Sequence, residues 1–166
     1  MGLFKREKTV KYQMREDMIS IGDDYWIEDD GGNKAYRVNG KAVRFRDTWV
    51  LEDAHGKDVA MIKEKKLTVR DTIKIETGGK EYKVKKALVG FRDRFTIETD
   101  GKNLKAHGNI VDHEYEIELD GDKVAEVSKK WFRLRDTYGV EIDADVDPAL
   151  ILSITVAIDS FSHDHG

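Results

Sequence analysis

Asp147-Pro148-Ala149-Leu150-Ile151-Leu152-Ser153-Ile154-Thr155-Val156-Ala157-Ile158 is the stretch on which the reading of this sequence turns. Asp147 is a good helix N-cap, and Pro148 suits the first helical position, where its missing N–H leaves no bond unmade. From Ala149 to Ile158 the segment is apolar on every side apart from two hydroxyls, Ser153 and Thr155. A surface helix carries one apolar stripe, whereas a helix apolar all round is buried. Ser153 and Thr155 tolerate burial because each hydroxyl can bond a carbonyl one turn back. The predicted helix covers about residues 148–160. Ten or eleven residues of helix span roughly 16 Å, far short of the ~30 Å hydrocarbon core of a bilayer. No transmembrane span is expected.

Upstream, the pattern is a ladder of hairpins. Acidic, Gly-rich turn candidates begin at Glu28, Glu52, Glu76, Glu98 and Glu118, spaced 24, 24, 22 and 20 residues apart. They include Asp30-Gly31-Gly32, Gly78-Gly79, Asp100-Gly101 and Asp120-Gly121. Asp-Gly and Gly-Gly accept the positive φ that tight hairpin turns require. The flanks alternate with period 2, as in Glu114-Tyr115-Glu116-Ile117-Glu118-Leu119 and Thr72-Ile73-Lys74-Ile75-Glu76. That alternation places one face on a core and one in water. A second repeat interlocks with the first: Phe45-Arg46-Asp47-Thr48, Val69-Arg70-Asp71-Thr72, Phe91-Arg92-Asp93-Arg94 and Leu134-Arg135-Asp136-Thr137. Asp bonds its own backbone at turns and Arg meets neighbouring carboxylates, so these pairs read as corner pieces of the repeated hairpin. About twelve strands result, joined by short antiparallel connections.

A dozen half-buried strands need closure to remove their edges, and a helix apolar all round needs an apolar sleeve. A closed antiparallel barrel of about twelve strands around its own C-terminal helix meets both needs; the fold class is mainly β. The rival is a β-sandwich with Ile151, Ile154, Val156 and Ile158 in a last strand. The Asp-Pro start and the lack of alternation favour the helix. Domain bounds follow: a basic lead over 1–8, one barrel domain over 9–161, and a tail over 162–166.

The chain of 166 residues is 39% hydrophobic and 37% charged, with no cysteine. It is long enough for one buried core without staples, and too rich in apolar residues to be disordered. Disulfides, thiol nucleophiles and Cys-ligated metals are excluded. The formal charge is −4, against the basic excess usual in nucleic-acid binders, so no nucleic acid is expected. The charge is unevenly placed. Residues 63–94 hold eleven bases against five acids, and residues 95–166 hold seven against sixteen. Such a dipole has one basic zone able to meet a phosphate-rich surface. Its candidate contacts are Lys63, Lys65, Lys66, Arg70, Lys85, Lys86, Arg92 and Arg94. The start, Met1-Gly2-Leu3-Phe4-Lys5-Arg6, lacks the apolar run of a secretory signal, and Arg6 stands where myristoylation needs Ser or Thr. A cytoplasmic location, peripheral at a membrane if lipid is bound, is the expectation.

Tyr12-Gln13-Met14-Arg15, Tyr36-Arg37-Val38, the segment Phe45-Arg46-Asp47-Thr48-Trp49-Val50-Leu51-Glu52-Asp53 and the terminal apolar helix together resemble the LURP-one-related family. That family belongs to the tubby C-terminal-like superfamily, alongside the phospholipid scramblases. The resemblance covers about residues 9–161 and implies a twelve-stranded barrel around a central hydrophobic helix. Tubby-like domains bind phosphoinositides, and scramblases are associated with calcium and lipid movement. The LURP-one-related branch has no settled activity. Asp136-Thr137-Tyr138-Gly139-Val140-Glu141-Ile142 and Asp145-Val146-Asp147 are similar to the acidic segment before the scramblase terminal helix. This implies Asp136, Asp145 and Asp147 as calcium ligands, although Leu134 stands where that segment has another carboxylate. Ca²⁺ takes six to eight oxygens, and the Gly and terminal Glu of an EF-hand are missing.

Catalysis finds little support in the sequence: no Ser elbow, P-loop or HExxH occurs. His163-Asp164-His165 could grip a metal but reads as a tail; His107 and His113 could flank a pocket but read as surface or turn histidines. The leading expectation is a non-enzymatic module that binds anionic phospholipid or another polyanion. The alternatives are a protein-interaction or assembly module, a scramblase-like calcium-responsive lipid protein, and an enzyme with a cavity beside the helix.

Overall fold

The computed structural model describes residues 8–15, 25–39, 48–65, 72–87, 93–131 and 137–163. Within these lie twelve strands: β1 (Thr9–Arg15), β2 (Tyr25–Asp29), β3 (Lys34–Asn39), β4 (Thr48–Asp53), β5 (Asp58–Lys65), β6 (Thr72–Thr77), β7 (Lys80–Ala87), β8 (Asp93–Thr99), β9 (Lys102–Asn109), β10 (Glu114–Leu119), β11 (Asp122–Ser128) and β12 (Thr137–Asp143). One helix, α1 (Pro148–His163), follows them. Each strand pairs antiparallel with its sequence neighbours, and β1 pairs with β12 from Thr9↔Asp143 to Arg15↔Thr137. The sheet is therefore a closed barrel, and the sandwich alternative is set aside.

All five turn candidates sit at hairpin tips, at one end of the barrel. Gly78 and Gly79, at φ of 60° and 73°, form a two-residue turn that places Thr77 opposite Lys80. Glycine adopts such positive φ values at the lowest cost. At the β2–β3 tip the Asp29 Oδ1 accepts the Gly31 and Asn33 N–H groups at 3.0 and 2.8 Å. At the β4–β5 tip the Asp53 Oδ1 accepts those of His55 and Lys57 at 2.9 and 3.0 Å. These backbone donors, Asn33 and Lys57 foremost, hold both carboxyls below the usual range. The Arg-Asp repeats fall where corner pieces should, since Thr48, Thr72, Asp93 and Thr137 open β4, β6, β8 and β12. The remainder of those repeats, apart from Arg94 in β8, lies outside the described residues.

α1 occupies the lumen. Asp147 Oδ1 accepts the Ala149 N–H at 3.0 Å, which caps the helix. Ile151, Leu152, Ile154, Val156, Ala157 and Ile158 are fully buried, against β5, β6, β7 and β12 among others. Ser153 and Thr155 return their hydroxyls to the carbonyls of Ala149 and Ile151 at 2.6 and 2.9 Å, as a buried helix requires. Inward strand residues such as Ile73, Ile75, Val84 and Ile97 form the sleeve. Burying each such side chain stabilises by ~1.5–3 kcal/mol. The helix runs to His163, three residues past the predicted end, because Phe161 packs its ring on Phe95 with centroids 5.3 Å apart. No helix among the described residues is long and apolar enough to cross a membrane.

One glycine is required by close approach. Gly108 has φ of 139°, and a Cβ there would meet Glu114 O and Tyr115 Cα at 2.7 Å. Gly108→Ala is expected to disrupt the β9–β10 ladder and lower the denaturation midpoint. Ile154→Ala, which empties space at the helix–sleeve contact, is expected to destabilise by about 2–5 kcal/mol. Val111→Ala, at a residue 72% exposed, should stay within about 0.5 kcal/mol. Urea unfolding followed by circular dichroism checks all three.

Candidate functional site

Period-2 alternation turns one face of every strand to water, and the register decides which of those side chains meet. On β5, β6 and β7, Lys63 lies directly opposite Lys74, and Lys74 opposite Lys83. One row further along, Lys85 pairs with Thr96 on β8, and Thr96 with Lys105 on β9. In the next row Arg94 faces His107. Like charges directly opposite repel, and part of this repulsion is relieved locally. Lys74 reaches Glu81 at 3.0 Å and Glu76 at 3.1 Å, and those two bonds hold its ammonium pKa above the usual range. Lys63 lies 3.7 Å from Glu76, and Lys85 lies 3.1 Å from Glu98. Exposed Lys83, Arg94 and Lys105 form no ion pair among the described residues. A groove lined by Ala87, Arg94, Thr96, Lys105, His107 and Glu118 runs along this wall.

Of the sequence candidates, Lys63, Lys85 and Arg94 therefore share one outer wall. Lys86 does not: it follows the inward parity of Tyr82 and Val84, lies opposite buried Phe95, and is half-buried. Lys65 ends β5 with its side chain outside the described residues, as are Lys66, Arg70 and Arg92. Lys74, Lys83 and Lys105 complete the wall and were not singled out. The signal for two of them was available: a turn at Gly78-Gly79 sets Lys74 opposite Lys83 by counting.

The proposed calcium ligands do not assemble a site among the described residues. Asp145 is exposed, Asp147 spends one oxygen on the helix cap, and no third ligand joins them. Asp136 lies outside the described residues.

Inside the barrel, polar groups converge on Asp159, which the sequence did not single out. Asp159, 3% exposed, accepts the Tyr138 hydroxyl from β12. The His113 ring, in the β9–β10 turn, stacks on Tyr138 with centroids 4.3 Å apart, and its Nδ1 lies 3.5 Å from Asp159 Oδ1. Tyr25 and Tyr115 bring two further buried hydroxyls from β2 and β10. Burial first, and the Asp159 charge second, push the Tyr25, Tyr115 and Tyr138 phenols well above the ordinary tyrosine range. Through Tyr138 and His113 the arrangement ties the Asp159 turn of α1 to β12 and to the β9–β10 turn.

Comparison with known proteins adds three findings. The family model described as LURP-one-related matches residues 10–159. The uncharacterized protein YxjI of Bacillus subtilis strain 168 is 27% identical over 147 residues, covering 88% of this chain and 90% of that protein. An Arabidopsis thaliana protein of known X-ray structure superposes with a TM-score of 0.66 at 17% identity, covering 96% of this chain and 94% of that one. At that identity the likeness concerns the fold.

The buried phenols set an alkaline limit to stability. Their folded pKa values exceed the unfolded ~10, so the neutral phenols stabilise fully below pH ~10. Above it the unfolded chain alone releases protons, and stability falls by about 1.4 kcal/mol per pH unit for each such tyrosine. Absorbance at 295 nm is expected to show Tyr25, Tyr115 and Tyr138 ionising only as circular dichroism reports unfolding. Titration of all six tyrosines near pH 10 in a folded chain would contradict this.

Proposed function

The chain belongs to the LURP-one-related family, and on that footing we propose that it is a non-enzymatic binding module whose contact face is the basic wall of β5–β9 and whose ligand is anionic phospholipid. The observation that carries the reading is the set of three exposed cations, Lys83, Arg94 and Lys105, none within ion-pair distance of a carboxylate among the described residues, although Glu98 and Glu118 stand in register with Lys83 and Lys105. They stand beside Lys63, Lys74 and Lys85, whose charges are only partly offset by Glu76, Glu81 and Glu98. Each basic side chain held near an anionic membrane contributes ~1 kcal/mol, and the attraction fades beyond a Debye length of ~8 Å at physiological salt. The barrel closes on itself and its lumen holds α1, which leaves the outer surface as the natural place to engage a partner. The acidic walls of β10 to β12 would face away from the membrane.

The test is vesicle sedimentation. Vesicles with phosphatidylserine are expected to pellet the chain at low salt, neutral phosphatidylcholine vesicles are not, and raising NaCl to about 0.5 M should release it. Lys83→Glu/Arg94→Glu/Lys105→Glu should reduce binding at least tenfold while leaving the unfolding midpoint within the range of surface changes. A chain that stays in the supernatant with anionic vesicles at low salt would overturn the lipid reading and favour a protein partner.

A further inference from the structure

We propose that His107, Glu116 and Glu118 form a binding site for one divalent transition-metal ion of the zinc class, on the outside of the barrel at the seam of β9 and β10. His107 and Glu116 face each other directly across that strand pair, and Glu118, two residues on, shares the same outward face. His107 Nε2 lies 2.9 Å from Glu118 Oε1, and one ligand atom from each of the three residues falls within 4.8 Å of the others. Metal–ligand bonds of ~2.0–2.2 Å require ligand atoms roughly 3–3.5 Å apart. Rotamer adjustment of two half-buried glutamates closes that gap, with no movement of the paired strands.

A second feature of the same wall calls for a cation. Glu116, Glu126 and Glu141 stand directly opposite one another on β10, β11 and β12, in the row that runs from Arg94 through His107. Carboxylates in direct cross-strand register repel. The ion pairs of this row are loose at both ends: Lys123 lies 2.8 Å from Glu126, Lys11 lies 3.9 Å from Glu141, and Lys123 reaches only to 3.5 Å at the Glu116 end. A divalent ion between Glu116, Glu118 and His107 neutralises that end. An imidazole nitrogen beside two carboxylates suits Zn²⁺, Ni²⁺ or Co²⁺ better than Ca²⁺ or Mg²⁺, which prefer all-oxygen shells. Three protein ligands leave a coordination position open to water. Lys123, Lys105 and Arg94, in register with Glu118 and His107, oppose the ion and keep the affinity moderate.

The experiment is calorimetric titration of the full chain, stripped by chelator, with ZnCl₂ and then NiCl₂. One ion is expected per chain, with His107→Ala and Glu118→Gln each weakening binding at least tenfold. His163→Ala/His165→Ala removes the competing ligands after Ser162 and should leave the affinity unchanged. Zinc should raise the melting temperature of the unaltered chain and leave that of His107→Ala where its own metal-free form melts. The site is refuted if His107→Ala binds zinc as tightly as the unaltered chain, if the double His variant loses binding, if equal calcium displaces the zinc, or if no heat of binding appears.

Discussion

A helix with apolar side chains on every side is stable in water only where something surrounds it, and this constraint organises the whole molecule. Ile151, Leu152, Ile154, Val156 and Ile158 point in all directions around α1 and are all fully buried. A flat sheet covers one side of a helix; a closed one covers all of it. The pairing of β1 with β12 is what completes the cover, and the same closure leaves no sheet edge to template association. Because the apolar half of each strand is spent on the helix, whatever the molecule binds is engaged by the polar half.

That polar half is sorted by charge around the circumference. Lysines and an arginine dominate β5 to β9, while Glu114, Glu116, Glu118, Glu126 and Glu141 dominate β10 to β12. The two walls meet between β9 and β10, where His107 stands against Glu118. Family membership, a Bacillus relative of similar length and an Arabidopsis structure of the same fold agree on the scaffold. What the scaffold does is carried by this sorting of side chains, since a fold hosts sites without dictating them.

The architecture was legible because its signals are local. Glycines at positive φ mark the hairpin tips, alternation marks the strands, and Asp147-Pro148 marks the helix start. The basic wall was half legible. The Gly78-Gly79 turn sets Lys74 against Lys83, but placing Arg94 beside them requires the β7–β8 register, which a longer connection leaves undetermined by counting. Lys86 was misplaced on this wall because a run of two lysines does not announce which one follows the inward parity. Asp159 was not legible at all. At the end of an apolar run it reads as a solvent-facing terminus, and its burial depends on Tyr138 and His113, residues 21 and 46 positions away.

The joining of β1 to β12 also bears on the order of events during synthesis. The first strand made waits for the twelfth, and the rod that fills the lumen follows both. Until then the nascent chain is an open, curling ribbon with two unpaired margins and a greasy hollow, the state most prone to wrong partners. Contacts between the two ends of a chain are also slow to form, because a long loop must close first. Closure around the filled lumen therefore has to await translation of the helix, and chaperones that shield strand margins would matter most just before it.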